Sequence, residues 1–218
     1  MLPEYLDTAK TTRHTKEERQ ELVKYAKEKG IRLFGISRFD GESELLKEQI
    51  DSISKIRKEF HLNRKLTVCF KQMAGGDLGE TRPGGEVIYL NKKAYRNRAV
   101  TDTHLNADKF LSSSAVKGIG IHEMGHVISA YYGEKGLDIA KKTYYNIYKK
   151  EIAYPELLEF LKDSISLYST FLPEQWENKP LKPRYYKEIT PEILAKHETN
   201  PDEFTSEFVR LLKEVYHL

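Results

Sequence analysis

An α+β fold is what this chain predicts, and three observations predict it. β-type segments are few, all of them precede one long central helix, and nearly everything after that helix has helical spacing. Strands and helices do not alternate, so a doubly wound βαβ sheet is not expected. Residues 15–29 read as a charged helix with Thr15 or Thr12 near its start and Gly30 just past its end. The short apolar run Ile31 to Ile36 suits a first strand. Over 43–60, Leu46, Ile50, Ile53, Ile56 and Phe60 recur at helical spacing and predict one core-facing stripe. Residues 66–72 alternate and are β-rich, and Glu86 to Asn91 is a second such run. The glycines between them, Gly75-Gly76 and Gly84-Gly85, predict a turn that pairs the two as a hairpin. A phosphate-binding loop fails there, because no Lys-Ser/Thr follows and a strand, not a helix, comes next. Ser113 to Tyr132 turns helical, with Ile121, Met124 and Ile128 placed for the core. Helices are expected over 138–152, 155–170 and about 202–216. Pro173, Pro180, Pro183 and Pro191 make 173–191 an ordered surface loop. Residues 1–61 form an N-terminal helical arm, accessory or part of the same domain, and 62–218 the main domain.

Composition excludes several function classes. With 36 basic against 33 acidic residues the net charge is +3, too near balance to imply a nucleic-acid partner. No apolar run approaches the roughly 18–20 residues of a membrane helix, and the first residues lack the pattern of a signal peptide. A cytoplasmic or phage-associated protein is therefore expected. The single cysteine, Cys69, excludes an internal disulfide framework and reads as a buried small hydrophobe.

The chemistry-bearing motif is His122-Glu123-Met124-Gly125-His126. Helical positions four apart lie about 40° from one another, so both imidazoles can reach one metal ion. Zinc accepts imidazole nitrogen at about 2.0–2.1 Å, and two histidines one turn apart meet that geometry with little strain. Glu123 projects about 100° from His122, placed to take a proton from a zinc-activated water as it attacks a carbonyl. Gly125 costs about 1 kcal/mol of helix stability relative to alanine, which predicts close packing against a neighbour, here expected to be the sheet. His14, His61, His104 and His217 have no partner at ligand spacing.

Zinc sites of this class need a third protein ligand. The extended motif would place glycine at 129 and histidine at 132, but this chain has Ser129 and Tyr132. A glutamate from a later helix is the alternative. Glu151, Glu156 and Glu159 are possible by chain distance, and Glu203 with Glu207 is the best pair. These two share a face beside the apolar stripe Phe204, Phe208, Leu211 and Val215. Glu203 would bind the metal and Glu207 accept the free N–H of a zinc-bound histidine. Alternatively, Asn200 caps this helix, Pro201 starts it and Glu203 completes a capping box, which leaves Glu207 as the ligand.

The His-Glu-x-Gly-His helix followed by Asn200-x-x-Glu203-Phe204-x-x-Glu207-Phe208 resembles the gluzincin metallopeptidases of the anthrax lethal factor type, with related toxin and phage-borne enzymes. The resemblance spans roughly 66–215. It implies a zincin-like fold, a Zn2+ cofactor, peptide-bond hydrolysis of a protein or peptide substrate, Glu203 as third ligand and Glu207 beside it. Where that group has an oxyanion-assisting tyrosine this chain has Lys196; Tyr185, Tyr186 or His197 could donate instead, with an ordinary surface or packing role as the rival reading of each. The resemblance also implies a substrate-binding edge strand, for which Val87, Ile88, Tyr89 and Leu90 are the candidates, with an ordinary sheet strand as the rival reading. Two other functions stay open. One is a zincin-fold protein without turnover, such as a phage head or regulatory component, and the other a repressor-cleaving regulatory peptidase.

Overall fold

Local signals open and close the first elements where the sequence places them. The computed structural model describes residues 11–74, 77–107, 111–172 and 185–218. Helix α1, Lys16–Glu28, starts at Thr15 with a reciprocal capping box to Glu18 and ends before Gly30, whose φ of 76° suits only glycine well. Strand β1, Ile31–Phe34, leads to helix α2, Ser43–Glu59. Then come β2, Leu66–Lys71, β3, Gly79–Thr81, and β4, Val87–Asn91. The rest is helical: α3, Arg98–Ala107; α4, Lys117–Tyr132; α5, Gly136–Tyr148; α6, Tyr154–Ser164; α7, Ile189–Thr199; and α8, Glu203–Val215.

The four strands form one sheet in the order β1-β2-β4-β3. β1 and β2 are parallel, which the α2 crossover between them permits, and β2 and β4 are also parallel. This corrects the expected hairpin of 66–72 with 86–91. The two runs do pair, Thr67 opposite Val87 and Lys71 opposite Asn91, but in the parallel sense. The hairpin partner of β4 is the short β3, which turns back through Gly84 and Gly85, both at positive φ.

Alternation along the strands turns Leu66, Val68, Phe70, Ile88 and Leu90 inward, where they join Ile50, Ile53, Ile121, Met124 and Ile128 in one buried core. Cys69 falls on the opposite, outward side of β2 and is half-buried, so it is not the core residue expected. Its thiol is pushed up by partial burial.

Residues 11–61 are built into the same layers and do not stand apart as an arm. β1 is an edge of the shared sheet, and α2 packs on α4. Leu46, Ile50, Ile53 and Ile56 are fully buried there, each contributing about 1.5–3 kcal/mol on leaving water. Gln49 of α2 is equally buried. Its Oε1 accepts from the Tyr95 hydroxyl at 2.7 Å and the Gly120 N–H at 3.2 Å, while its Nε2 donates to the Lys117 carbonyl. The first turn of α4 is thus anchored by the N-terminal segment. Among the described residues, no helix is long and apolar enough to cross a membrane.

Candidate metal centre

Helix α4 buries Ile121, Met124 and Ile128 on its core side, which leaves His122 and His126 together on the face away from the sheet. Their rings meet edge to face with centroids 5.1 Å apart. What faces them is α7. A Cβ on Gly125 would strike the backbone of Pro191, 2.7 Å from its nitrogen. The neighbour that requires glycine in the motif is therefore α7 and not the sheet. Pro191 can lie in α7 because it occupies the first turn, where a backbone N–H has no helical acceptor.

This close crossing brings two carboxylates onto the histidines. Glu188 immediately precedes α7 without capping it, and Glu192 follows four residues later on the same face. Glu188 Oε2 lies 3.3 Å from Nε2 of both His122 and His126. Two ligand atoms held about 2.0–2.1 Å from one ion at the tetrahedral angle stand roughly 3.3–3.4 Å apart, so these spacings fit a zinc-sized ion. Among the described residues, the buried Glu188 Oε2 meets no donor other than the two imidazoles, neither in good hydrogen-bond geometry, and the three ligand atoms lie within 4.8 Å of one another. Both results describe an acceptor set suited to a cation.

Glu192 does different work. Only 1% exposed, it takes the His122 Nδ1–H at 2.7 Å. It is itself fixed by the Ser112 N–H at 2.7 Å and the Ser166 hydroxyl at 2.6 Å. Holding the proton on Nδ1 leaves the Nε2 lone pair free for a metal. Burial disfavours the charged form of His122, but Glu188 and Glu192 outweigh it and raise its pKa well above the usual value. Burial likewise pushes Glu188 up, and the two imidazoles more than reverse this, holding it at about 2.

Glu123 is 5% exposed and its carboxyl is raised by burial, with the two histidines and Thr81 opposing. The Thr81 hydroxyl donates to Glu123 Oε2 at 2.6 Å. Strand β3 passes so near that a Cβ at Gly79 would come within 2.5 Å of Glu123 Oε1. The Glu123 carboxylate is therefore steered by β3. A cleft of about 850 Å3 runs over these groups, walled by 77–84 of β3 and its flanks, by α4 and by the start of α7. Tyr168 also lines it, its ring stacked on His122 at 5.9 Å. Burial and the surrounding carboxylates Glu188, Glu192 and Glu123 raise its phenol, so it keeps its proton.

Of the expected residues, His122, Glu123 and His126 come together and Glu203 does not. Glu203 is exposed on the first turn of α8, lining a surface groove with Glu207 and Arg210. The cap of α8 is Asp202, which shares a capping box with Thr205; Asn200 instead ends α7. Glu207 does not approach the histidines either. Arg210 binds it at 2.7 and 2.8 Å, the Asn146 amide at 2.7 Å, and together they hold its carboxyl at about 2. Glu151, Glu156 and Glu159 are exposed, the last paired with Lys162. Tyr186 is buried in the core, and His197 is depressed by burial beside Glu198 and Glu59.

The substrate-strand assignment also changes. Val87, Ile88, Tyr89 and Leu90 belong to β4, which has β2 on one side and β3 on the other and so offers no free edge. The edge beside the centre is β3. Asn91 N–H bonds to the Leu78 carbonyl and Arg82 N–H to the Val87 carbonyl. By two-residue alternation, the N–H and C=O groups of Gly79 and Thr81 point away from β4. Glu188, Glu192, Tyr168 and Thr81 were missed from sequence. One signal was present, since Glu188 and Glu192 repeat the four-residue spacing of the two histidines. Comparison with protein families, curated proteins and solved structures finds no match to this chain.

Proposed function

We propose that this protein is a zinc-dependent metallopeptidase of zincin type, in the gluzincin manner, with His122, His126 and Glu188 holding the metal. The observation that carries the reading is the pair of 3.3 Å separations from Glu188 Oε2 to the two Nε2 atoms, backed by Glu192 on the far nitrogen of His122. Zinc bound by such a set supplies Lewis acidity, bringing the pKa of water to near 7 and polarising a carbonyl.

The chain's own groups supply the rest. Glu123 takes a proton from the attacking water and passes it to the departing amine nitrogen. Burial raises its carboxyl, which suits a group that must both accept and release that proton. Thr81 keeps the carboxylate aimed into the cleft. Tyr168, a protonated phenol lining the cleft with its ring stacked on His122, would donate to the carbonyl oxygen as charge develops there. An extended peptide adds to the open edge of β3 through Gly79 and Thr81, which supports an endopeptidase that reads backbone.

The test compares wild type with Glu123→Gln, both supplied with zinc and incubated with an unfolded protein whose fragments are read by mass spectrometry. Wild type is expected to hold about one zinc per chain and cut internally, while Glu123→Gln holds zinc and leaves the substrate whole. Zinc without cleavage in wild type would reduce the protein to a zincin-like binding component. Failure to take up zinc would remove the metal centre itself.

A further inference from the structure

The two ends of the cleft differ in chemistry. Beyond the His122 side, Leu105, Leu111 and Ile119 make an apolar floor. Beyond the His126 side Ser129 and Glu134 bring polar groups to the lining beside Ala130. Resting on the peptidase reading above, we propose that the cleft selects peptides with an apolar side chain at the first end and a lysine or arginine at the second, where Glu134 pairs with the cation.

The placement of Glu134 follows from α4. Past His126 the helix runs on to Tyr132, six residues or about 9 Å at 1.5 Å per residue. Gly133, at φ 94°, then turns the chain so that Glu134 returns to the cleft wall. An extended substrate advances about 3.3–3.4 Å per residue, so this end lies within reach of a long side chain one or two residues from the bond cut. Ile119 is only three residues before His122, about 4.5 Å along the axis, and sets the apolar end closer in.

The carboxylate is prepared for a cation. Its Oε1 is fixed by the Gly136 N–H at 3.1 Å, and Gly136 is held in turn against Thr190 of α7. Burial raises the Glu134 carboxyl, so much of its desolvation is already met by the fold and an incoming cation gains more than it would at an open surface. The two basic residues on the cleft wall do not supply that cation. The Arg82 guanidinium lies over the Tyr89 ring on the outward side of the sheet, and the exposed Lys187 makes no ion pair with Glu134.

The test uses the full chain as zinc-loaded Glu123→Gln, which keeps the cleft without turnover. Fluorescence anisotropy at low salt measures labelled peptides of one length that carry Arg, Met or Glu at the second position and Leu or Asp at the first. The Arg peptide is expected to bind at least about tenfold tighter than the Glu peptide. Adding Glu134→Gln should abolish that ratio and leave the Leu-over-Asp preference intact, which also shows that the cleft still folds. Equal binding of Arg and Glu peptides, survival of the preference in Glu134→Gln, or loss of both preferences together would each overturn the assignment. Wild-type kinetics separate the two readings. An Arg preference in binding with no cleavage removes the peptidase and keeps the subsite, whereas cleavage without that preference does the reverse.

Discussion

Helices α7 and α8 open alike and end in different chemistry. Each begins with two glutamates four residues apart, Glu188 and Glu192 on α7, Glu203 and Glu207 on α8. Glu188 and Glu207 both have carboxyls held at about 2, but for different reasons. Burial opposes the charge on Glu188 and two imidazoles overcome it, whereas on Glu207 the Arg210 guanidinium of its own helix does most of the work at the surface. The spacing places two carboxylates on one face in either case. The rest of each helix chooses which face is buried. On α8 the stripe of Phe204, Phe208, Leu211 and Leu212 takes the core side and leaves its glutamates outside. On α7 the Pro191 backbone against Gly125 takes the core side and carries the glutamates in with it.

Four substitutions probe this contrast. Glu188→Ala removes a proposed ligand atom and should abolish stoichiometric zinc binding and peptide cleavage together, read by elemental analysis and by product formation. Glu192→Gln keeps shape but weakens the acceptor on His122 Nδ1, so zinc affinity measured by chelator competition should fall about 10- to 100-fold. Gly125→Ala forces a methyl group into Pro191. The expected loss is about 1–3 kcal/mol in denaturant unfolding, despite the roughly 1 kcal/mol that alanine gains in helix propensity, and α7 should shift with weaker zinc binding. Glu203→Ala should leave zinc content and cleavage unchanged, because its side chain is solvated on the other helix. A Glu203→Ala variant that lost its zinc while Glu188→Ala kept it would reverse the comparison.

Much of the fold could be read from the residues. The stripe of α2, the core of α4 and the α+β order rest on periodicities within single segments and are present in the structure, although α4 begins at Lys117 and not at Ser113. The strand arrangement could not be read the same way. A glycine-rich connection between two β-rich runs favours a hairpin, but here it encloses β3, which pairs with β4 and sends β2 to the other side of that strand. The three-residue β3 is too short to leave an alternation pattern of its own. α7 was hidden by Pro191, which punctuates a loop in sequence but tolerates a first helical turn in space. The other prolines of that expected loop, Pro173, Pro180 and Pro183, lie outside the described residues.

The candidate metal centre divides along the same line. His122, Glu123 and His126 are neighbours on one helix, so the geometry that relates them is set by 3.6 residues per turn and is written in five consecutive letters. The third carboxylate comes from 62 positions beyond His126, and no local rule distinguishes Glu188 from Glu203 as its source. That choice was made by packing: a glycine on α4 admits the backbone of α7, and the glutamates that travel with that backbone are the ones that reach the histidines.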